Sequence, residues 1–423
     1  MAAVNLSNEQ KYAVCRIIEL FKSGTNLVAL DGPAGSGKTT LVQALVKEID
    51  EEVTVSAMTN KAADVLRRKN LPKAITTYKA SLEPVFDEPG ESLLAYLNME
   101  DPTNSEQESV LLGYYSSEEL SEARATLREH GLTAAMRGLG IEDFFNTFFS
   151  HWGPKPCNSG LLIIDEASML GADLLKTISR SFSKILLVGD RFQLPPIDEE
   201  PVFWNDKIVE ERIRLTQVHR QKELSQPLQL AELIKEEKFI CLEPALEIDL
   251  ELCSIGMPIL VWRNETREQL TRSVRFELGL VGAFPEVGET LVARETGKIQ
   301  GHDFVRNSLW RVLETDGGQS CRLQSADGQK LDKFISVEME EYPGQARGMR
   351  CRFAYVMTCH TAQGSEWPIV MIHAGEARGM LGFDRLNGLK WLYTAVTRAK
   401  DEAIWVTGKV PTKLDRLLKE NKS

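Results

Sequence analysis

Hydrophobic and polar positions along the chain follow one dominant rhythm with two interruptions. Residues 8–22 carry apolar side chains at helical spacing, and Ser7 with Gln10 three residues later marks a helix start. Asn26 to Leu30 predicts a short buried strand, followed by a glycine-rich turn and a helix from Lys38 to about Ile49. A strand at Val53–Met58 and a helix at Lys61–Arg68 come next. Alternation of strand and helix is the rhythm of a parallel α/β sheet. It returns at Leu161–Ile164 and Ile185–Val188, both all-apolar runs of the kind buried on two faces. Pro258–Trp262, a helix over Glu265–Leu278, and runs at Tyr355, Ile369–His373 and Ile404–Thr407 continue it.

The first interruption, 81–160, is acidic and then carries Phe144, Phe145, Phe148, Phe149 and Trp152 in a cluster. The phenylalanine spacing predicts the core face of a helix. The second interruption holds four short strand-like runs, Thr290–Arg294, Leu309–Glu314, Ser320–Gln324 and Lys333–Glu338. Asp316-Gly-Gly and Asp327-Gly separate some of them and signal hairpins, which predicts a small inserted β-barrel. The expected organisation is a first sheet domain of residues 1–80 and 157–200 with an insertion at 81–156. A second sheet domain follows, of residues 201–283 and 346–423, with the barrel at 284–345.

Composition narrows the class. A chain of 423 residues, 43% hydrophobic and 26% charged, leans towards two or more folded domains and excludes wholesale disorder. No apolar run approaches the ~20 residues that span a bilayer, and the N-terminus shows no basic region before an apolar stretch. Seven scattered cysteines without a CxxC pair predict a reducing compartment, the cytoplasm, without disulfides or structural zinc. The net charge of −11 argues against a nucleic-acid partner only until its distribution is read. Residues 81–130 hold twelve acidic and two basic side chains, so the rest of the chain is nearly neutral and can still present a basic groove.

Gly32-Pro33-Ala34-Gly35-Ser36-Gly37-Lys38-Thr39 fits GxxxxGK[ST] between an apolar strand and a helix. Glycines let backbone N–H groups converge on phosphate oxygens, and the helix N-terminus adds its positive end. The loop through Thr40 is therefore the candidate nucleotide cradle. Lys38 reaches the β and γ phosphates, and Thr39 takes one Mg2+ position. The apolar run Leu161–Ile164 ends in Asp165 and Glu166. Asp165 can hold Mg2+ through water, and Glu166 can polarise an attacking water as general base.

Four further boxes follow in order: Gly189-Asp-Arg-Phe-Gln-Leu-Pro-Pro196, Leu215-Thr-Gln-Val-His-Arg220-Gln, Met357-Thr-Cys-His-Thr-Ala-Gln-Gly-Ser-Glu-Trp367 and Trp391-Leu-Tyr-Thr-Ala-Val-Thr-Arg398-Ala-Lys. With the loop and the Asp-Glu box, this set resembles the superfamily 1B DNA helicases, those of the RecD and phage Dda type most of all. The resemblance covers almost the whole chain and breaks down mainly in 81–160, where it implies an insertion with a pin that splits the duplex; aromatics at its tip would stack on the terminal base pair, a weaker reading of Phe144–Trp152 than core packing.

It implies two RecA-like parallel-sheet domains, with an insertion in the first and an SH3-like barrel in the second. By resemblance Gln10 reads the adenine edge, although its other reading is the capping-box partner of Ser7. Gln193 resembles the γ-phosphate sensor, Arg220 and Arg398 the two arginine fingers, and Glu366 a contact near the nucleotide sugar. The strand track resembles Thr59, Asn60 and Lys61, continued by Thr76, Thr77 and Tyr78, with Thr358, His360 and Thr361 opposite; some of these side chains can equally cap helices. Tyr78 stands where relatives often have histidine, and Thr361 where they often have lysine.

The implied activity is ATP- and Mg2+-dependent 5′→3′ travel on single-stranded DNA and forked duplexes, by a monomer with a replication or recombination partner. RNA unwinding, protein displacement without strong unwinding, and a nucleotide-dependent binding switch are the rivals.

Overall fold

The computed structural model describes residues 6–141, 144–196, 199–217, 225–238, 242, 245–295, 297–299, 302–325, 328, 330–342 and 348–412. The chain divides into two compact units. The larger comprises Met1–Thr77, Ser159–Leu175 and Ser183–Ser423, and the smaller comprises Tyr78–Asn158 and Lys176–Phe182.

The larger unit contains two sheets and a barrel. The first sheet runs in the order Ile75–Thr76, Val53–Ala57, Asn158–Asp165, Phe182–Gly189, Leu27–Asp31, Glu211–Arg214. Leu27–Asp31 pairs in parallel with Phe182–Gly189 and with Glu211–Arg214, and Val53–Ala57 pairs in parallel with Asn158–Asp165. Leu27–Asp31 is buried at every position, which is why its sequence shows no alternation. Helices Asn8–Lys22 and Lys38–Glu48 cover the sheet through Val14, Ile17, Leu41 and Leu45.

The second sheet has the order Val356–Thr358, Ile259–Val261, Trp367–His373, Ala399–Val406, parallel throughout. Its helices Ala374–Phe383 and Arg385–Val396 bury Trp391, Leu392 and Tyr393. The barrel closes from Thr290–Ala293, Leu309–Thr315, Ser320–Ser325, Ile335–Met339 and Met349–Phe353. Its interior, with Trp310, Leu323, Val337 and Phe353, is continuous with Ile259, Val261 and Met371 of the second sheet. The architecture is thus α/β: two RecA-like sheets with a barrel inserted in the second.

The fifth barrel strand falls beyond 345, where the sequence reading ended the insertion. Met349, Cys351 and Phe353 alternate inward, but their strand lies parallel to Ile335–Met339 and closes onto Thr290–Ala293. No hairpin turn announces such a pairing.

The smaller unit is helical around Leu93, Leu97, Leu111, Leu120 and Met136. Asp87, Ser105 and Ser116 cap its helices, and Glu88, Glu91, Glu106, Glu108, Glu118 and Glu119 occupy first turns. Half of the twelve acids of this segment therefore sit where helix dipoles favour them. The predicted phenylalanine helix is shorter than the spacing implied: Phe144–Phe148 is helix, and Phe149–Pro154 is a strand paired antiparallel with Leu82–Phe86. Phe144 and Phe148 pack on the core with ring centroids 5.0 Å apart. The side chains of Phe145 and Phe149 lie outside the described residues. Trp152 is exposed on the ribbon. No helix among the described residues is long and apolar enough to cross a membrane.

Candidate functional site

The glycine loop follows Leu27–Asp31 and opens helix Lys38–Glu48, as its sequence requires. Gly35 and Gly37 have φ of 81° and 79°, which a side chain would strain. Gly37 caps the helix without a side-chain acceptor, so the first-turn amides at Lys38, Thr39 and Thr40 face the loop uncapped. A Cβ at Gly32 would stand 2.6 Å from Ser36 Oγ. Ser36 Oγ itself is buried with no hydrogen-bond partner among the described residues. An orphaned hydroxyl and uncapped amides inside a glycine cradle fit a phosphate ligand. Lys38 Nζ donates to Gly32 O at 2.6 Å and Pro33 O at 3.1 Å.

Asp165 ends strand Asn158–Asp165, and its Oδ1 accepts from Glu166 N at 3.0 Å. Burial, and then the neighbouring Glu166, push its carboxyl up to about 6, against the pull of Lys38. A carboxylate held against its own burial, beside a lysine, is the donor type that a hard divalent cation takes. Glu166 has φ 56°, a strained setting for a non-glycine residue at the start of the short turn Ala167–Met169. Ser168 in that turn lies 3.4 Å from Gln193 Oε1, which joins the Asp-Glu box to the Gln-Leu-Pro-Pro box.

Gln10 forms the capping box and also touches the loop. Its Oε1 accepts from Ser7 N at 3.0 Å and its N–H donates to Ser7 Oγ, so the capping box is present. Its Nε2 donates to Ser36 O at 3.1 Å, which places the amide against the loop.

The second sheet reaches the loop through a residue the sequence reading did not single out. Tyr393 Oη donates to Asp190 Oδ2 at 2.6 Å and accepts from Ala34 N at 3.2 Å. Burial pushes the Asp190 carboxyl up and the Tyr393 hydroxyl well up. Tyr393 lay inside a recognised box, but as an apolar-run aromatic it carried no signal separable from core packing. Gln363 was equally silent: its amide is buried, with neither polar atom hydrogen-bonded among the described residues.

Arg398 is 5% exposed. Its guanidinium donates to Thr394 O at 3.2 Å, Ser365 O at 3.3 Å and Thr397 Oγ1 at 3.4 Å, so the expected finger is held by its own sheet domain. Arg220 lies outside the described residues. Glu366 is exposed, 3.9 Å from Lys400 Nζ.

The expected strand track divides. Thr59 caps helix Asn60–Arg68 through Ala62 N at 3.1 Å, with Asn60 the first residue of that helix. Thr358 Oγ1 lies 2.9 Å from Thr361 Oγ1 across the short helix Cys359–Ala362. His360 is in the same helix, and burial lowers its pKa. Thr76 ends the edge strand Ile75–Thr76. Thr77 is fully buried, with Oγ1 3.1 Å from Ser56 Oγ, so its hydroxyl is spent inside the sheet and not on a strand. Tyr78 belongs to the smaller unit and is about half exposed.

Lys61 also departs from expectation. Its ammonium bonds Ser365 Oγ and sits 5.7 Å from the Trp367 ring centroid, a contact between the two sheet domains. Burial and then Arg398 lower its pKa to about 8. Two cations thus converge on Ser365, one from each domain.

An AAA domain model matches residues 5–245. The chain belongs to the AAA domain family. A UvrD-like helicase C-terminal domain matches 353–406, the second-sheet segment that holds Arg398. The ATP-dependent RecD2 DNA helicase of Deinococcus radiodurans is 28% identical over 276 residues, which cover 60% of this chain and 37% of that protein, so the chain spans little more than a third of that relative. Two solved structures share the fold. The Pif1 helicase of Candida albicans has a TM-score of 0.51 at 15% identity, with 100% of each chain covered. The Pif1 helicase of Bacteroides in complex with ADP-AlF3 and ssDNA has a TM-score of 0.52 at 17% identity, with 99% of this chain and 97% of that one covered. The kinship with RecD-type superfamily 1B helicases that the motifs implied is borne out.

Proposed function

We propose that this chain is an ATP-dependent DNA helicase that travels 5′→3′ along single-stranded DNA as a monomer in the cytoplasm. One observation carries the reading: the phosphate loop of the first sheet is hydrogen-bonded to the second-sheet helix that leads into Arg398. Chemistry at the loop can therefore be felt by both domains. The RecD2 relative is named an ATP-dependent DNA helicase, and one Pif1 structure of the same fold holds ADP-AlF3 and ssDNA; both support the reading.

On this reading the loop from Gly32 to Thr40 binds the phosphates, Thr39 and Asp165 hold Mg2+, and Gln10 faces the base side. ATP supplies the scissile phosphoryl bond, and Mg2+ neutralises charge on it. Glu166 takes the proton of the attacking water, Gln193 senses the terminal phosphate, and Arg398, with Arg220, stabilises charge on it. Thr59 and Thr358 sit at C-terminal ends of strands in the two sheets, where hydroxyls and helix N-terminal amides suit a phosphate backbone without reading its sequence. A change in the gap between the sheets then moves one grip relative to the other.

The test is ATP turnover on single-stranded DNA and on RNA, with unwinding of duplexes tailed at either end. Stimulation by DNA and unwinding from a 5′ tail are expected. Glu166→Gln is expected to lose turnover by about a hundredfold or more while keeping ATP binding. Stimulation by RNA alone, or turnover without unwinding, would replace the reading by one of its rivals.

A further inference from the structure

Tyr393 stands where three segments distant in sequence meet. Its side chain is 1% exposed, and its ring centroid lies 5.6 Å from that of Phe192. A hydroxyl has one proton to give and lone pairs to accept, so the bonds to Asp190 and from Ala34 are made at the same time. Ala34 belongs to the phosphate loop, Asp190 to the box after strand Phe182–Gly189, and Tyr393 to the second-sheet helix Arg385–Val396. The next residue repeats the join, because Thr394 Oγ1 accepts from Leu194 N at 3.1 Å. Other hydrogen bonds of the loop stay within the first domain: Lys38 on Gly32 and Pro33, Gln10 on Ser36, and Gly32 N on Gly189 O among them. Beside the ring, a cavity of about 270 Å³ is lined by Arg191, Phe192, Trp204, Arg214 and Lys390.

We infer that Tyr393 is a positioning residue that ties occupancy of the phosphate loop to the placement of the second-sheet helix. The inference rests on the reading that this loop binds nucleotide phosphates. A phosphate oxygen that takes the Ala34 N–H takes it from the Tyr393 hydroxyl. The helix then keeps only its bond to Asp190 at that residue and can shift, carrying Arg398 beyond its end. Two consequences of opposite sign follow from one hydroxyl. It competes with the phosphate for an amide, so it weakens nucleotide binding. It also transmits the exchange, so it supports turnover. A side chain that only fills space has neither property.

The test is nucleotide affinity, measured with MgADP and a non-hydrolysable ATP analogue, beside steady-state turnover on single-stranded DNA. Tyr393→Phe removes the hydroxyl alone. Its Kd is expected to tighten by about twofold to tenfold, the range of one net hydrogen bond. Its kcat is expected to fall by at least as much. Thr394→Val removes the neighbouring acceptor and loosens the same join without touching the loop. It is expected to lower the melting temperature and leave Kd unchanged. An unchanged or weaker Kd in folded Tyr393→Phe overturns the inference, as does a tighter Kd with undiminished kcat. Equal tightening in Thr394→Val also overturns it, since any loosening would then suffice. If the unaltered protein binds no nucleotide, the underlying reading fails, and that result is distinct from all of these.

Discussion

On the proposed reading the two parallel sheets bring unlike halves to one nucleotide site. The first brings backbone: amides and carbonyls of a glycine loop, with two carboxylates at a strand end. The second brings side chains, Tyr393 and Arg398, from the end of a buried helix. A backbone half must be contiguous, because covalent geometry aims one amide after the next and only glycine permits the turns. A side-chain half needs only single positions, which packing then aims. Contiguous halves are conspicuous in a sequence; single positions in an apolar helix are not.

The largest expected effects test whether both halves are needed. Arg398→Ala and Lys38→Ala are each expected to lower ATP turnover about a thousandfold, measured by phosphate release on single-stranded DNA. Arg398→Ala should also lower the melting temperature, since its guanidinium ties Thr394 O and Ser365 O. Turnover within a few fold of normal in Arg398→Ala would reduce the site to the first sheet alone.

A middle-sized effect concerns Asp165, whose carboxyl is raised from 3.8 to about 6. A raised carboxyl contributes stability that is fully present below pH 3.8 and lost as pH rises through 6. At pH 7.5 the charged form therefore opposes folding. Asp165→Asn is expected to be more stable than the parent at pH 7.5 by on the order of 1–3 kcal/mol, with the gain shrinking towards pH 4. Thermal melts at both pH values check this, and a gain independent of pH would remove burial as the cause.

The smallest effect contrasts the sheets with the acidic unit. Glu118, Glu122 and Glu129 are exposed there. Their joint replacement by glutamine is expected to change DNA-stimulated turnover by less than about twofold, because salt screens solvent-exposed charges. A large change in the salt dependence of stimulation would bring that unit into strand binding.

Much of this could be read before folding. The glycine loop, the Asp-Glu pair and the buried strands were legible because each depends on neighbours in sequence. Four barrel strands were legible through alternation and Asp-Gly turns. The fifth was not, because its partners lie far along the chain. Period-based reasoning carried the phenylalanine helix one residue too far, since Phe149 joins a ribbon with Leu82–Phe86 that no local pattern shows. Lys61 and Thr77 look like surface polar residues by type; one is turned to Ser365 and the other sealed against Ser56.

The chain's order of residues, taken alone, set out the local parts: a glycine loop before a helix, a carboxylate pair at a strand end, and a resemblance to a family in which such parts recur. Which groups face each other was decided only when two sheets packed together. The reach of Tyr393 to both Ala34 and Asp190 spans hundreds of residues of chain, and its hydrogen bonds form there because burial removes the competing water.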